Sequence, residues 1–122
     1  MNKNFELNSI EYIIATILNK LKLEWKFEVP FIFDDSAYLP DFYIEKYKLI
    51  IESYDDFWHA NPKMFKPNDT THKSRMAVDV WGYDLEKKQC FEKNGYKYLN
   101  FWESDILENI ELIKENIENE IY

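Results

Sequence analysis

A chain of 122 residues, 46% hydrophobic and 18% aromatic, can bury one core but not two ordinary ones, so a single domain over residues 1–122 is expected. Its net charge of -8 argues against a general nucleic-acid coat protein or a polybasic membrane binder. Cys90 is the one cysteine, so an internal disulfide is excluded, and Cys90, His59 and His72 do not make a full zinc ligand set.

In chain order, Ile10, Ile13, Ile14, Ile17, Leu18 and Leu21 recur at the helical period behind Asn8 and Ser9, which predicts a helix over 9–22. Three extended stretches follow, Trp25–Phe33, Tyr38–Ile44 and Lys48–Ser53, with turns at Asp34-Asp35-Ser36 and Glu45-Lys46. The unbroken apolar run Leu49-Ile50-Ile51 marks a strand covered on both faces and central in its sheet. Residues 54–71, with Pro62 and Pro67 and no clean period, read as a long irregular loop. A second helix is expected from Lys73 to Lys93, stopped by Asn94-Gly95, and then a strand over Lys97–Trp102. Ser104 is expected to cap a last helix carrying Ile106, Ile110, Ile113, Ile117 and Ile121 on one face and Glu on the other. The order is α-β-β-β-α-β-α, an α/β fold.

No apolar run approaches a membrane span, and the first residues lack the apolar core of a signal peptide. An intracellular, cytoplasmic protein without membrane association is expected. Charge is uneven along the chain. Residues 103–122 hold seven acids and one Lys, whereas Lys63, Lys66, Lys73 and Arg75 face only Asp69 between positions 60 and 78. The basic stretch therefore falls within and just after the long loop.

Candidate chemistry begins with acids at strand ends, where a carboxylate needs a partner or a metal. Asp41 starts the second stretch and Glu52 ends the third, so a hairpin brings them level. Two hard oxygen ligands with substrate phosphate and water suit Mg²⁺. An Asx-turn for Asp41 and a solvated strand end for Glu52 is the plainer alternative. His59 follows a few residues later and, titrating near neutrality, can activate water. Phe57 and Trp58 could equally be core, His72 reads as exposed, Glu11 has the capping-box spacing from Asn8, and Asp84 could be an exposed helix residue.

Leu39-Pro40-Asp41-Phe42, Leu49-Ile50-Ile51-Glu52, Phe57-Trp58-His59, Asp84 before Gly95-Tyr96, and Phe101-Trp102-Glu103-Ser104-Asp105 together resemble the Vsr type of the PD-(D/E)XK nuclease superfamily. The likeness extends to phage-associated homing endonucleases of the EDxHD group, and it spans nearly the whole chain. It implies a restriction-endonuclease-like core, a mixed central sheet flanked by helices, and a metal-dependent endonuclease that hydrolyses or nicks DNA in the cytoplasm. By the same resemblance the catalytic residues are Glu11, Asp41, Glu52, His59 and Asp84. Asp41 with Glu52 and Ser53 would bind Mg²⁺ or Mn²⁺, His59 would be the general base, and Glu11 and Asp84 would orient waters or His59. DNA contacts are assigned to Phe57, Trp58, Asn61, Lys63, Lys66, Lys73 and Arg75, the two aromatic residues by insertion between bases.

Two departures stand out. The superfamily's Lys two residues after the second acid is Tyr54 here, and the His and Cys ligands of the structural zinc in Vsr repair enzymes are missing. No structural zinc is expected. Target choice would rest on the 54–78 segment, on a homodimer, or on a separate DNA-targeting partner. Two other classes fit the same residues: a catalytically silent nucleic-acid- or protein-binding module, and a nuclease for RNA or branched DNA.

Overall fold

The computed structural model describes residues 6–71 and 74–122; His72 and Lys73, read above as an exposed residue and a DNA contact, lie outside this range. Helix α1 spans Ser9–Lys20 and buries Ile10, Ile14, Ile17 and Leu18, the helically spaced apolar stripe. A capping box starts it. The Asn8 side chain accepts from the Glu11 N–H, and the Glu11 carboxylate accepts from the Asn8 N–H at 3.0 Å. Lys22, in the left-handed region at φ 60, turns the chain, so the helix stops two residues short of the expected end.

The first two extended stretches each divide. Trp25–Phe33 becomes β1 (Lys26–Phe27) and β2 (Phe31–Phe33), because Glu28 adopts φ 53 and Pro30 has no N–H to give a ladder. Tyr38–Ile44 becomes the end of β3 (Ser36–Tyr38) and β4 (Phe42–Ile44), separated at Leu39-Pro40. Strands β2 and β3 form a separate hairpin that turns at Asp34-Asp35 and pairs Phe31 with Tyr38. The main sheet has the order β1-β4-β5-β6, with β5 at Leu49–Tyr54 and β6 at Lys97–Trp102. Pairs β1–β4 and β4–β5 are antiparallel while β5–β6 is parallel, a mixed sheet as expected.

Leu49, Ile50 and Ile51 are all fully buried, which fits a central strand covered on both faces. Strand alternation divides the core into two. Ile51 and Leu49 join Phe42, Ile44 and Phe101 under α1 and the C-terminal helices. Ile50 joins Phe91, Tyr98, Phe31 and Tyr38 under helix α2 and the hairpin. Phe91 stands in edge-to-face contact with Phe31 and Phe33, the geometry aromatic quadrupoles favour.

Helix α2 spans Ala77–Lys93, starting later than expected, after an isolated bridge between Thr70 and Met76. Gly95 at φ 90 closes it and returns the chain to β6. The last helix is two: α3 (Glu103–Glu108) and α4 (Ile110–Ile121), interrupted at Asn109, whose φ of -134 is not helical. Ser104 therefore lies inside α3 and caps nothing, and Ile110 is exposed, while Ile106, Ile113, Ile117 and Ile121 are buried as the periodicity requires. Among the described residues no helix is long and apolar enough to cross a membrane.

Candidate active site

The pair Phe42–Ile51 is the last in the β4–β5 ladder, so Asp41 and Glu52 come next on either side and lie level, as the hairpin requires. Asp41 turns its Oδ2 onto Ser53, accepting from the backbone N–H at 2.8 Å and from the hydroxyl at 2.9 Å. Burial, the charge of Glu52 and the charge of Glu11 raise its pKa to about 7 against the lowering effect of the Ser53 hydrogen bonds. Three acids thus repel one another around Asp41, and a cation would relieve that repulsion. Glu11 serves this site as a charge while its own carboxylate closes the capping box.

Glu52 is no solvated strand end. It is 5% exposed, and its Oε2 accepts from the Lys87 ammonium at 2.6 Å and from the Tyr98 hydroxyl. The Tyr98 and Tyr54 hydroxyls lie 3.1 Å apart, extending the chain of polar contacts toward the loop. Burial pushes both phenols above their ordinary range, so both remain protonated and available as donors. Lys87 and Tyr98 were not singled out from the sequence. The readable signal for Lys87 is its place on α2, three residues after Asp84 and so on the same helix face. Its ammonium comes to the acid from the helix.

His59 is held from three sides. Its ring stacks on Tyr54 with centroids 4.1 Å apart and planes 6° apart, and Nδ1 meets Asp84 Oδ2 at 2.8 Å. The backbone under it is fixed by Asp55, whose Oδ1 accepts from the N–H groups of Phe57 and Trp58 at 2.8 Å. Behind it, Trp81 Nε1 donates to the Ala60 carbonyl at 2.6 Å. With the carboxylate as acceptor, the neutral tautomer that fits this contact carries its proton on Nδ1 and leaves Nε2 with a lone pair. A histidine so oriented can take a proton from water.

Around this centre, Phe57 and Trp58 are 50% and 51% exposed, so neither is a core residue. Lys63, Lys66 and Arg75 are exposed too. Asn61 is different. It is 4% exposed, its Nδ2 donates to Asp56 at 2.9 Å and its Oδ1 accepts from the Lys63 N–H, so its amide is engaged within the loop.

No group of three or more His, Cys, Asp or Glu side chains gathers as a metal site among the described residues. Mg²⁺ needs less, because it keeps several waters and is commonly bound through one or two carboxylates. Asp41, crowded by two other acids and levelled with Glu52, could supply donors of that kind, with the Ser53 backbone beside it.

Neither a protein-family model nor a curated protein matches the sequence. Among solved structures, the chain is similar to the catalytic domain of the homing endonuclease I-Bth0305I, with a TM-score of 0.60 over 93% of this chain and 94% of that one, at 18% identity. The fold is that of a homing-endonuclease catalytic domain: a mixed central sheet flanked by helices.

Proposed function

We propose that this chain is a metal-dependent DNA endonuclease of the Vsr-like, EDxHD kind, hydrolysing or nicking phosphodiester bonds with Mg²⁺ or Mn²⁺. The observation that carries the reading is His59, stacked on Tyr54, bonded through Nδ1 to Asp84 and set beside the end of the strand that presents Glu52 opposite Asp41. A base and an acidic pair on one strand end are what phosphodiester hydrolysis calls for. When bound at Asp41 and Glu52, the divalent ion supplies positive charge for the phosphate and for the charge that grows on it.

The residues of the chain do the rest. Asp41 gives up its proton to hold the ion, aided by the two Ser53 hydrogen bonds, which favour the ionised form. His59 Nε2 accepts the proton of the attacking water, and Asp84 stabilises the imidazolium that results. Lys87 and Tyr98 both contact Glu52 Oε2 and fix the direction of its carboxylate. Exposed Phe57 and Trp58 offer flat surfaces to bases, and Lys63, Lys66 and Arg75 offer charge to phosphates. A homodimer or a separate targeting partner would lengthen the recognised site.

Incubation with supercoiled plasmid, single strands, a DNA junction and RNA, each with Mg²⁺ or Mn²⁺, tests this directly. Nicked or linear DNA that is lost in Asp41→Ala supports the reading. A protein that binds these substrates but cuts none is a silent binding module, and one that cuts RNA alone is a ribonuclease.

A further inference from the structure

A cavity opens beside the His59–Asp84 pair. It has a volume of about 170 Å³ and is lined by Trp58, His59, Thr71, Arg75, Tyr83 and Asp84, among others. Thr71 is 4% exposed, and its Oγ1 is the one buried side-chain polar atom left without a hydrogen-bond partner among the described residues. A buried hydroxyl in that state is costly, and the few that occur call for a missing partner. The Arg75 guanidinium lies over the Tyr83 ring at 5.9 Å and makes one long contact, 3.4 Å, to the Asp79 carbonyl. Most of its donors are therefore uncommitted among the described residues.

We infer that this cavity receives one unstacked nucleobase of the nucleic acid whose backbone is cut at His59. The inference rests on the nuclease reading above. Its size is below that of a drug-sized pocket and suits a single flat ring system. Tyr83, 49% exposed, supplies aromatic surface on which a base can stack. The polar groups distinguish a base from a phosphate. Arg75 and the Thr71 hydroxyl can donate, but the Asp84 carboxylate also lines the space and would repel an anion. A base edge presents both acceptors and donors and meets all three. Pulling a base from a paired duplex takes a few kcal/mol and from a bulge much less, so unpaired nucleotides would be preferred.

Fluorescence anisotropy without divalent metal tests the pocket, using a labelled duplex with one bulged nucleotide and its fully paired counterpart. The wild type is expected to bind the bulged duplex about tenfold more tightly, the equivalent of one stacked base. Thr71→Val, which keeps the shape and removes the hydroxyl, and Tyr83→Ala, which removes a wall at the surface, should each lose most of that ratio. Equal affinity of the wild type for both duplexes, or an unchanged ratio in both variants, overturns the pocket. If such a protein still cuts paired DNA with Mg²⁺, the nuclease reading survives; if it neither binds nor cuts nucleic acid, both fall.

Discussion

Lys87 reaches from α2 to the carboxylate of Glu52 on β5 at 2.6 Å, and the two side chains are 14% and 7% exposed. A buried pair of this kind adds little net stability over apolar residues, but losing one partner strands a charge. Lys87→Met is expected to destabilise the fold by about 3–5 kcal/mol. Combining it with Glu52→Gln should recover most of the loss, since the Tyr98 hydroxyl can still bond an amide oxygen. Urea unfolding of the single and double variants, compared in a double-mutant cycle, measures the coupling.

Asp41 gives the fold a pH dependence of definite sign. Its carboxyl titrates at about 7 when folded and in the ordinary carboxylate range when unfolded, so the folded chain holds a proton that the unfolded chain has released in between. Stability without metal should therefore be highest below the unfolded value, fall as pH rises and level off above about 7. Asp41→Asn should remove the slope and be the more stable protein at pH 8. Adding Mg²⁺ to the wild type, which favours the ionised carboxylate, should flatten the same curve. Thermal unfolding across pH 4–8, with and without Mg²⁺, checks all three.

In the proposed mechanism Asp84 acts through His59. With Asn in its place the Nδ1 partner can donate, the ring tautomer is no longer fixed and the imidazolium loses its counter-charge. Asp84→Asn and His59→Ala should both cut the cleavage rate by about 10²–10⁴, the usual worth of a general base. Affinity for uncleaved DNA should be nearly unchanged in His59→Ala. Single-turnover rates at saturating DNA separate the two effects.

Trp81 holds the loop from behind through the Ala60 carbonyl. Trp81→Phe keeps the ring area and loses that bond, so stability should fall by about 1 kcal/mol. Because Ala60 adjoins His59, the rate should fall too, and the Asp84 contact should show greater mobility by hydrogen exchange in the 56–61 segment.

Much of this was readable in the sequence where a local pattern and a global demand coincide. The run Leu49-Ile50-Ile51 read as a central strand, and Asp41 and Glu52 came level because Phe42 and Ile51, their neighbours, pair across the hairpin. The turn at Glu28 and the helix break at Asn109 were not legible, since backbone turns at residues other than Gly depend on what packs around them. The candidate site residues lay on short sequence motifs. Lys87 and Tyr98 did not: they meet Glu52 only because the β5–α2–β6 crossover folds the helix and β6 against it, a contact between residues 35 and 46 positions away. Nor could the sequence show that the amide of Asn61, a polar loop residue, is engaged by its own loop.

The most direct measurement is the initial rate of supercoiled-plasmid nicking as a function of Mg²⁺ concentration, for the wild type and for Asp41→Asn. A saturating, metal-dependent rate in the wild type that rises with pH through about 7 and is abolished in Asp41→Asn is the expected result. Nicking that needs no metal, or that proceeds equally in Asp41→Asn, would contradict the assignment of this strand end as a nuclease centre.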